Sequence, residues 1–230
     1  MKPFRYFIIG LLALGLVILA SSAFRKRHNP TSKPFTLVSA IYEVGSDGKQ
    51  ELKSISTKFV RTSVAWKEVT ASKMTLQAHQ TIAKDGSIYE VVNGKLEWLS
   101  NTAPYEEPTV PPTEYYEDFV RTEKLFGLTA YVTHMDMGPD RYEEEWHTLE
   151  TGAIPLRIHL SLHGGKSQII TEPISLTFGD IPDSVLEGPD LPISFDRINT
   201  LLKAAEKAGQ HEYVDQTKAT IEEEKKKNQR

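Results

Sequence analysis

The side chains best suited to chemistry in this sequence are two histidines, His147 and His159, which fall on neighbouring predicted strands. If the two strands pair as a hairpin, both imidazoles lie on its polar face, with Glu143, Glu145 and His163 nearby. Two imidazoles and a carboxylate can bind zinc, which would make a metal-dependent hydrolase. Outward positions of an amphipathic strand pair explain the same histidines without a metal. We therefore predict no metal site and no cofactor.

Other catalytic patterns are absent from the sequence. It contains no glycine-rich phosphate loop, no G-x-S-x-G nucleophile elbow and no H-E-x-x-H motif. The acidic runs 143–145 and 222–224 are typical of solvated faces, because paired catalytic carboxylates need a pocket that separates their pKa values. The chain has no cysteine, which excludes disulfides, thiolate catalysis and thiolate metal sites. We therefore expect a protein that is not an enzyme.

The charge of the chain argues against a nucleic-acid partner. Residues 1–27 hold five of the 27 basic residues and none of the 31 acidic ones, so the remainder carries 22 basic against 31 acidic residues, a net charge of −9. Affinity for nucleic acid depends on basic groups that neutralise phosphates, and the sequence has no basic stripe.

The first 27 residues predict a membrane segment. Lys2 and Arg5 precede an apolar stretch of about 18 residues without a charge, which is at the short end of what spans a bilayer as a helix. Small residues up to Ala23 also offer a signal peptidase site, and cleavage there would give a secreted protein. The basic triplet at 25–27 favours a retained single-pass signal-anchor with residues 7–24 in the membrane.

Two signals point the rest of the chain to opposite sides of the membrane. The excess of basic residues after the apolar stretch points it towards the cytoplasm. A first segment with a basic start commonly exports the domain after it, and we expect an extracytoplasmic, periplasmic domain. No cysteine lies after the stretch, so bacterial lipoprotein processing is excluded.

After the membrane segment, the sequence predicts a polar linker at 28–34, an antiparallel β domain at 35–193, and a C-terminal helix with a charged tail at 194–230. Asp-Gly or Asn-Gly dipeptides in the first part of the β domain are typical of tight hairpin turns. Alternation of apolar and polar residues is clearest at 73–82 and 156–162. These patterns predict an antiparallel meander, with further strands at 128–136, 141–149 and 168–178.

Two helical segments are predicted. The first comes after the proline-rich stretch 104–112 and extends over 114–126, where it is either a lid over the sheet or a connection that closes one end. Ser194 caps the second, and Gly209 ends or bends it. Its apolar stripe consists of Phe195, Ile198, Leu201, Leu202 and Ala205. The remaining tail is expected to face solvent, supported by ion pairs along the helix.

Three stretches of the chain resemble a known family when taken together. They read W-H-T-L-E-T-G-A-I-P-L-R-I at 146–158, K-D-G-S-I-Y at 84–89 and S-L-T-F-G-D-I-P-D-S at 175–184. This order of strands and turns resembles the outer-membrane lipoprotein carrier (LolA/LolB-like) superfamily over residues 35–186. The resemblance implies an unclosed antiparallel half-barrel with an apolar concave face and a helical or loop lid. It also implies a non-enzymatic protein that holds lipid or acyl chains, although the anchor and the charged tail depart from a soluble shuttle.

Apolar positions of the predicted strands would line the concave face of such a half-barrel. They are Met74, Leu76, Ala78, Ile82, Tyr142, Trp146, Leu156, Ile158, Leu160, Leu162, Ile174, Leu176 and Phe178. The alternative is a filled core in which the same residues pack under the C-terminal helix. The first interpretation predicts an apolar ligand such as a lipid or a lipoprotein acyl chain. The second predicts a structural module that binds an envelope protein.

Overall fold

The computed structural model describes residues 33–62, 64–72, 78–84, 86–101, 118–152 and 154–228. The predicted membrane segment, almost all of the linker and the proline-rich stretch lie outside these ranges. Within the described ranges, no helix is long and apolar enough to cross a membrane.

The described chain is mostly β, as the sequence predicts, and its twelve strands form a single sheet. The strands are β1 (Phe35–Val44), β2 (Gln50–Thr62), β3 (Ala65–Ser72), β4 (His79–Lys84), β5 (Ser87–Val92), β6 (Lys95–Asn101), β7 (Phe119–Leu125), β8 (Leu128–Asp136), β9 (Tyr142–Thr148), β10 (Arg157–Leu162), β11 (Ser167–Phe178) and β12 (Ile193–Ser194). The helices are α1 (Asp183–Leu186), α2 (Asp196–Lys207) and α3 (His211–Lys227).

The order of strands across the sheet is β12-β6-β5-β4-β3-β2-β1-β11-β10-β9-β8-β7. Neighbouring strands are antiparallel, except that β12 runs parallel to β6. Strands β2–β6 form one meander and β7–β11 another, and β1 joins the two by pairing with β2 and β11. The predicted meander is therefore confirmed. The structure adds β12, which lies at the edge of the sheet beside β6.

Tight turns join the strands where the sequence predicts them. Asn93 and Gly94, between β5 and β6, have φ values of 50° and 73°. Positive φ at both central positions is the requirement of a type I′ hairpin, which Asn-Gly meets at low cost. The turn dipeptides therefore predict the local connections of the sheet correctly.

The predicted helix over 114–126 is wrong in its second half. Residues 119–125 form β7, which pairs with β8, and residues up to 117 lie outside the described ranges. Acidic residues after a threonine favoured a helix start, but pairing with β8 satisfies the backbone of 119–125 instead. Long-range pairing here overrides local preference.

The chain returns from β11 to the opposite edge of the sheet across β2, β3 and β4. Arg61 Nε donates a hydrogen bond to the carbonyl oxygen of Ile181 (3.2 Å), and Lys67 Nζ donates to that of Glu187 (3.0 Å). A Cβ added at Gly188 would lie 2.7 Å from Cδ1 of Ile82, so a larger residue here would have to displace the end of that side chain. The crossover places β12 and α2 beside β6.

Helices α2 and α3 pack on β5 and β6 through one apolar cluster, which we call the Trp98 cluster. Its buried members are Tyr89, Trp98, Ile198, Leu202, Val214 and Ile221. The predicted stripe of α2 is confirmed, because Phe195, Leu201 and Ala205 also pack against this cluster. Ser194 lies one residue before the N-cap of α2, which is Phe195, and its Oγ accepts a hydrogen bond from the backbone N–H of Asp196.

The tail after Gly209 does not simply face solvent, contrary to expectation. Val214 and Ile221 of α3 are 1% and 2% exposed, and Glu224 accepts a hydrogen bond from the Tyr89 hydroxyl (2.6 Å). Burial and the adjacent Glu224 carboxylate raise the pKa of Tyr89 to about 12. The apolar positions lie seven residues apart, two helical turns on one face, within a segment whose charges suggested a solvated helix.

Candidate binding surface

The register of β9 against β10 divides the predicted apolar lining between two faces of the sheet. Trp146 lies opposite Arg157, whereas Ile158 lies opposite Glu145. Residues directly opposite each other in an antiparallel pair share a face. Tyr142 and Trp146 therefore lie on the face opposite to Ile158, and the prediction that they line one side together is wrong. Single-sequence alternation gives the faces of each strand but not how two strands are aligned.

The same register separates the two candidate zinc-binding histidines. His159 lies opposite Glu144 and shares a face with Trp146, while His147 is on the other face, opposite Tyr131. Nε2 of His147 lies 2.8 Å from Oε2 of Glu145. The expectation that both imidazoles share a polar face is wrong. Among the described residues, no group of three or more histidine or acidic side chains could hold a metal ion.

An apolar patch remains on the face that bears Ile158, and we call it the Ile158 patch. It consists of Ile41, Ile158, Leu160, Leu162 and Ile169. Leu160 lies directly opposite Ile169, and Thr171 lies between Ile158 and Ile41 across β11. Leu160 is buried and the other four are half-buried, so the patch is neither a dry core nor a fully exposed surface. The described helices pack mainly against β3 and β6, away from it.

Polar groups border the Ile158 patch on the β9 side. Glu143 lies opposite Leu160 and is 1% exposed, and Glu145 lies opposite Ile158 and is 6% exposed. His147, bonded to Glu145, continues this border. A ligand on the patch would therefore meet apolar side chains with carboxylates along one edge.

The same face is polar again on β2 to β5. Glu68 accepts hydrogen bonds from Ser56 and Lys58, and its Oε2 lies 3.0 Å from Lys58 Nζ. Glu90 is 4% exposed and is bonded by His79 and by Arg197 of α2. Burial, and then the charge of Arg197, lowers the pKa of His79. Ion pairs therefore lie on this face beyond the patch, and within β1 Glu43 lies directly opposite Ile169.

The opposite face carries a charged arrangement around Trp146, which we call the Trp146 cluster. The guanidinium carbons of Arg121 and Arg157 lie 5.5 and 5.3 Å from the indole ring centre, and the indole N–H donates to Glu123 (2.9 Å). The His159 ring centre lies 4.7 Å from that of Trp146. Cation–aromatic contacts and ion pairs therefore hold a tryptophan that is 2% exposed.

These contacts shift the pKa values of the surrounding groups. The hydrogen bond from the Trp146 indole, and then that from Arg121, holds the pKa of Glu123 below its usual range. Arg121 has the same effect on the pKa of Glu144. Burial, and then the charge of Arg157, lowers the pKa of His159. At pH 7 the two carboxylates are therefore charged and His159 is neutral. These are the protonation states that the contacts of the cluster stabilise.

The remaining predicted lining residues have three different environments. Ile82 and Leu156 are buried at 2% and 0% exposure, the latter in a core cluster shared with Trp146 and, from β1 and β2, Phe35 and Val60. Leu176 packs against that core cluster. Four predicted residues are exposed: Ala78, Tyr142, Ile174 and Phe178.

Physical reasons for these differences are local. Ile174 lies at the register shift where β11 has one residue more than β1, so it leaves the alternation that the sequence suggested. Ala78 precedes β4 rather than lying within a strand. Met74 and Leu76 fall outside the described residues. Ligand contact at any of the predicted residues stays a prediction.

Sequence reasoning missed Ile41 and Ile169. Both lie in segments assigned to the β domain, but each has an apolar neighbour, Ala40 or Ile170, so alternation does not single either one out. What it lacked was the pairing of β1 with β11, which joins segments from opposite ends of the domain.

The structure is similar to several solved structures. One is a LolA superfamily protein from Nitrosomonas europaea, with a TM-score of 0.40 and 10% identity over 77% of this chain and 99% of that chain. Another is an uncharacterized conserved protein from Thermus thermophilus, with a TM-score of 0.46 and 9% identity over 78% and 98% of the two chains. A third is the MucA/MucB complex from Pseudomonas aeruginosa, with a TM-score of 0.42 and 16% identity over 70% and 58%.

No protein-family model and no curated protein matches the sequence. The structures similar to the chain include a member of the LolA superfamily, which its sequence pattern also resembles. At these identities and scores, the function has to be inferred from the residues of this chain.

Proposed function

We propose that this chain is a non-enzymatic, membrane-tethered envelope domain that binds an acyl chain of a lipid or lipoprotein on the Ile158 patch. The supporting observation is the alignment of apolar residues across three strands. Leu160 lies directly opposite Ile169, and Thr171 lies opposite both Ile158 and Ile41. The described helices leave this part of the face largely uncovered. Contiguous apolar surface that stays partly exposed commonly marks a binding site.

The apolar segment at 7–24 would hold the domain at the membrane, where acyl chains are available. The basic triplet at 25–27 supports a retained anchor, and the basic start supports a periplasmic position of the domain. The anchor favours a protein that receives or presents its ligand at one membrane over one that diffuses between two.

The energetics of such a site are dominated by apolar burial. Each buried methylene contributes about 0.8 kcal/mol, so ten of them give a gross ~8 kcal/mol before the entropic costs of association. Binding should therefore strengthen with chain length until the patch is covered, and it should change little with salt.

A fluorescent fatty-acid titration of the full chain in detergent micelles or nanodiscs tests this proposal. Ile169→Ser should weaken binding about tenfold, because it replaces an apolar contact by a hydroxyl in the middle of the patch. Ile55→Ser is the matched control: Ile55 is 42% exposed on the Trp146 face, so affinity should not change. Absence of saturable binding, or equal effects of the two variants, would contradict the proposal.

A protein-interaction module is the second candidate function. It is favoured by the burial of Ile82, Trp146 and Leu156, three predicted lining residues that instead form filled core, and by the exposure of Ile55 and Tyr142 on the Trp146 face. On this alternative, an envelope protein would contact the Trp146 face. Ile55→Ser would then weaken the complex, while Ile169→Ser would leave it intact.

A further inference from the structure

Strand β12 provides a second potential binding site, at the edge of the sheet farthest from β7. Ile193 pairs in parallel with Leu96, and the backbone N–H of Leu96 donates to the carbonyl oxygen of Pro192 (3.0 Å). In a parallel ladder, the paired residue of the outer strand turns its own N–H and C=O away from its neighbour. Ile193 therefore directs one donor and one acceptor out of the sheet.

An open groove of about 400 Å³ adjoins this edge. Leu191, Ile193 and Phe195 line one side, at alternate positions of the extended chain, and Lys225 and Asn228 from the end of α3 line the other. Ile193 and Phe195 also pack against the Trp98 cluster, so the groove borders that cluster. Its lining suits an extended chain that carries apolar residues.

Lysines and glutamates lie together beside the groove. Lys225, Lys226 and Lys227 end α3 directly after three glutamates. Lys225 Nζ lies 5.7 Å from the Phe195 ring centre and 2.6 Å from Glu222, and Lys227 Nζ lies 3.2 Å from Glu224. The groove therefore combines an apolar base with one lysine in its lining, Lys225.

The other edge strand is less suited to accept a partner strand. The register of β7 against β8 shifts between Phe119 and Arg121, and the strand carries three charged residues, Arg121, Glu123 and Lys124. Bulges and charged side chains are the features that protect sheet edges from adding strands. Strand β12 is short but has a groove beside it.

We infer that β12 and its groove bind an extended peptide segment in which apolar and acidic residues alternate. The peptide adds to the β12 edge through the N–H and C=O of Ile193, inserts apolar side chains between Leu191 and Phe195, and places carboxylates near Lys225 and Lys226. Only one residue of β12 offers backbone groups, so affinity depends on the groove and on the lysines. Unlike acyl binding, this interaction should weaken with salt.

Fluorescence polarisation with the full chain in zwitterionic nanodiscs tests this inference. The probe is a fluorescein-labelled peptide of alternating valine and glutamate, and a valine–lysine peptide is the charge-reversed control. Saturable binding of the acidic peptide alone, at low salt, is the expected result. Failure of the acidic peptide to bind, or equal binding of the two peptides, would overturn the inference.

Two substitutions separate the backbone and charge contributions. Ile193→Pro removes the outward N–H without touching the bond from Leu96 to Pro192, and should weaken binding several-fold. Lys226→Glu changes an exposed residue and should lower affinity about tenfold. The matched control is Lys203→Glu on α2, which lies by a different groove and should have no effect.

Competition distinguishes the occupants of the groove. If oleate or anionic vesicles displaced the peptide, and the affinity for oleate fell in Lys226→Glu, the groove would take anionic lipid and the peptide inference would fail. Ile169→Ser should leave peptide binding unchanged. Failure of the acyl-binding proposal would therefore appear in the fatty-acid titration, and failure of the peptide inference in the polarisation assay.

Discussion

Trp98 and Trp146 are equally buried, at 2% exposure each, yet different chemistry surrounds them. Trp98 is packed by apolar residues of α2 and α3, and its ring centre lies 6.0 Å from that of Phe195. Trp146 lies between two guanidinium groups and donates its indole N–H to Glu123. Among the described residues, the Trp98 indole nitrogen has no hydrogen-bond partner. The immediate surroundings of Trp98 are thus apolar, whereas those of Trp146 include charged groups as well.

The largest effect is expected from removing the apolar contact. Trp98→Ala should lower the free energy of unfolding by about 3–5 kcal/mol, because the cavity cannot be refilled by the apolar residues around it. It should also expose the amides of α2 and α3 to hydrogen exchange, since both helices pack on this side chain. Urea denaturation and hydrogen exchange measure the two quantities.

The control for that experiment is Trp146→Ala. It should destabilise the domain by a comparable amount while leaving exchange in α2 and α3 unchanged, because those helices pack in the Trp98 cluster. If both variants exposed the helices equally, the two clusters would be one cooperative unit and the comparison would not hold.

A smaller effect isolates the hydrogen bond to Glu123. Trp98→Phe and Trp146→Phe lose the same ring area, but only the second also loses a hydrogen bond to a carboxylate, at 2.9 Å. We expect Trp146→Phe to cost about 1.5–3 kcal/mol more, the range for a bond to a charged group. Chemical denaturation of both variants at pH 7 gives the difference, and equal costs would show that the bond contributes nothing.

The smallest expected effect is the dependence of stability on pH that the Trp146 cluster contributes. The folded-state pKa values of Glu123 and Glu144 lie below 4.5, so their stabilisation is complete above pH 4.5 and is lost as pH falls through the folded-state values. The pKa of His159 is lowered from 6.5, so its protonation disfavours the folded state as pH falls below 6.5. Each group should contribute less than about 1 kcal/mol because all are partly solvated.

Unfolding free energies of two variants between pH 7 and pH 4 check these signs. His159→Gln should remove the loss that begins at pH 6.5, and Glu144→Gln should reduce the loss in the most acidic range. An increase in stability on acidification of the unmodified chain would contradict the assignment.

Local sequence patterns predicted the strands and turns better than they predicted how the strands align with one another. The Asn93-Gly94 turn and the strand Leu128–Asp136 were predictable from turn chemistry and alternation, because both depend on neighbours in sequence. The apolar side of β10 was also correct for Ile158, Leu160 and Leu162. Alternation could not give the alignment of β10 with β9. A shift of one residue in that alignment decides whether Trp146 shares a face with Ile158 or with Arg157.

The candidate site was predicted less completely than the fold for the same reason. Ile41 and Ile169 join the Ile158 patch only through β1 and β11, which are far apart in the chain. The groove at β12 depends on a crossover that brings Leu191 to Phe195 beside the end of α3. The spacing of residues within one segment does not predict such long-range contacts. The seven-residue spacing of Val214 and Ile221 was visible in the sequence, but the charged residues around it favoured a solvated helix.

The position of β1 also has a consequence for how the chain reaches its folded state. The hairpins of each meander close short loops, whereas pairing of Ile41 with Thr171 closes a loop that holds most of the domain. This pairing should be the slow step, and β1 has no second neighbour until Phe178 has been synthesised. During that interval β1 is an open edge that another chain can pair with. A pause in translation between β2 and β11 would lengthen this interval and increase aggregation.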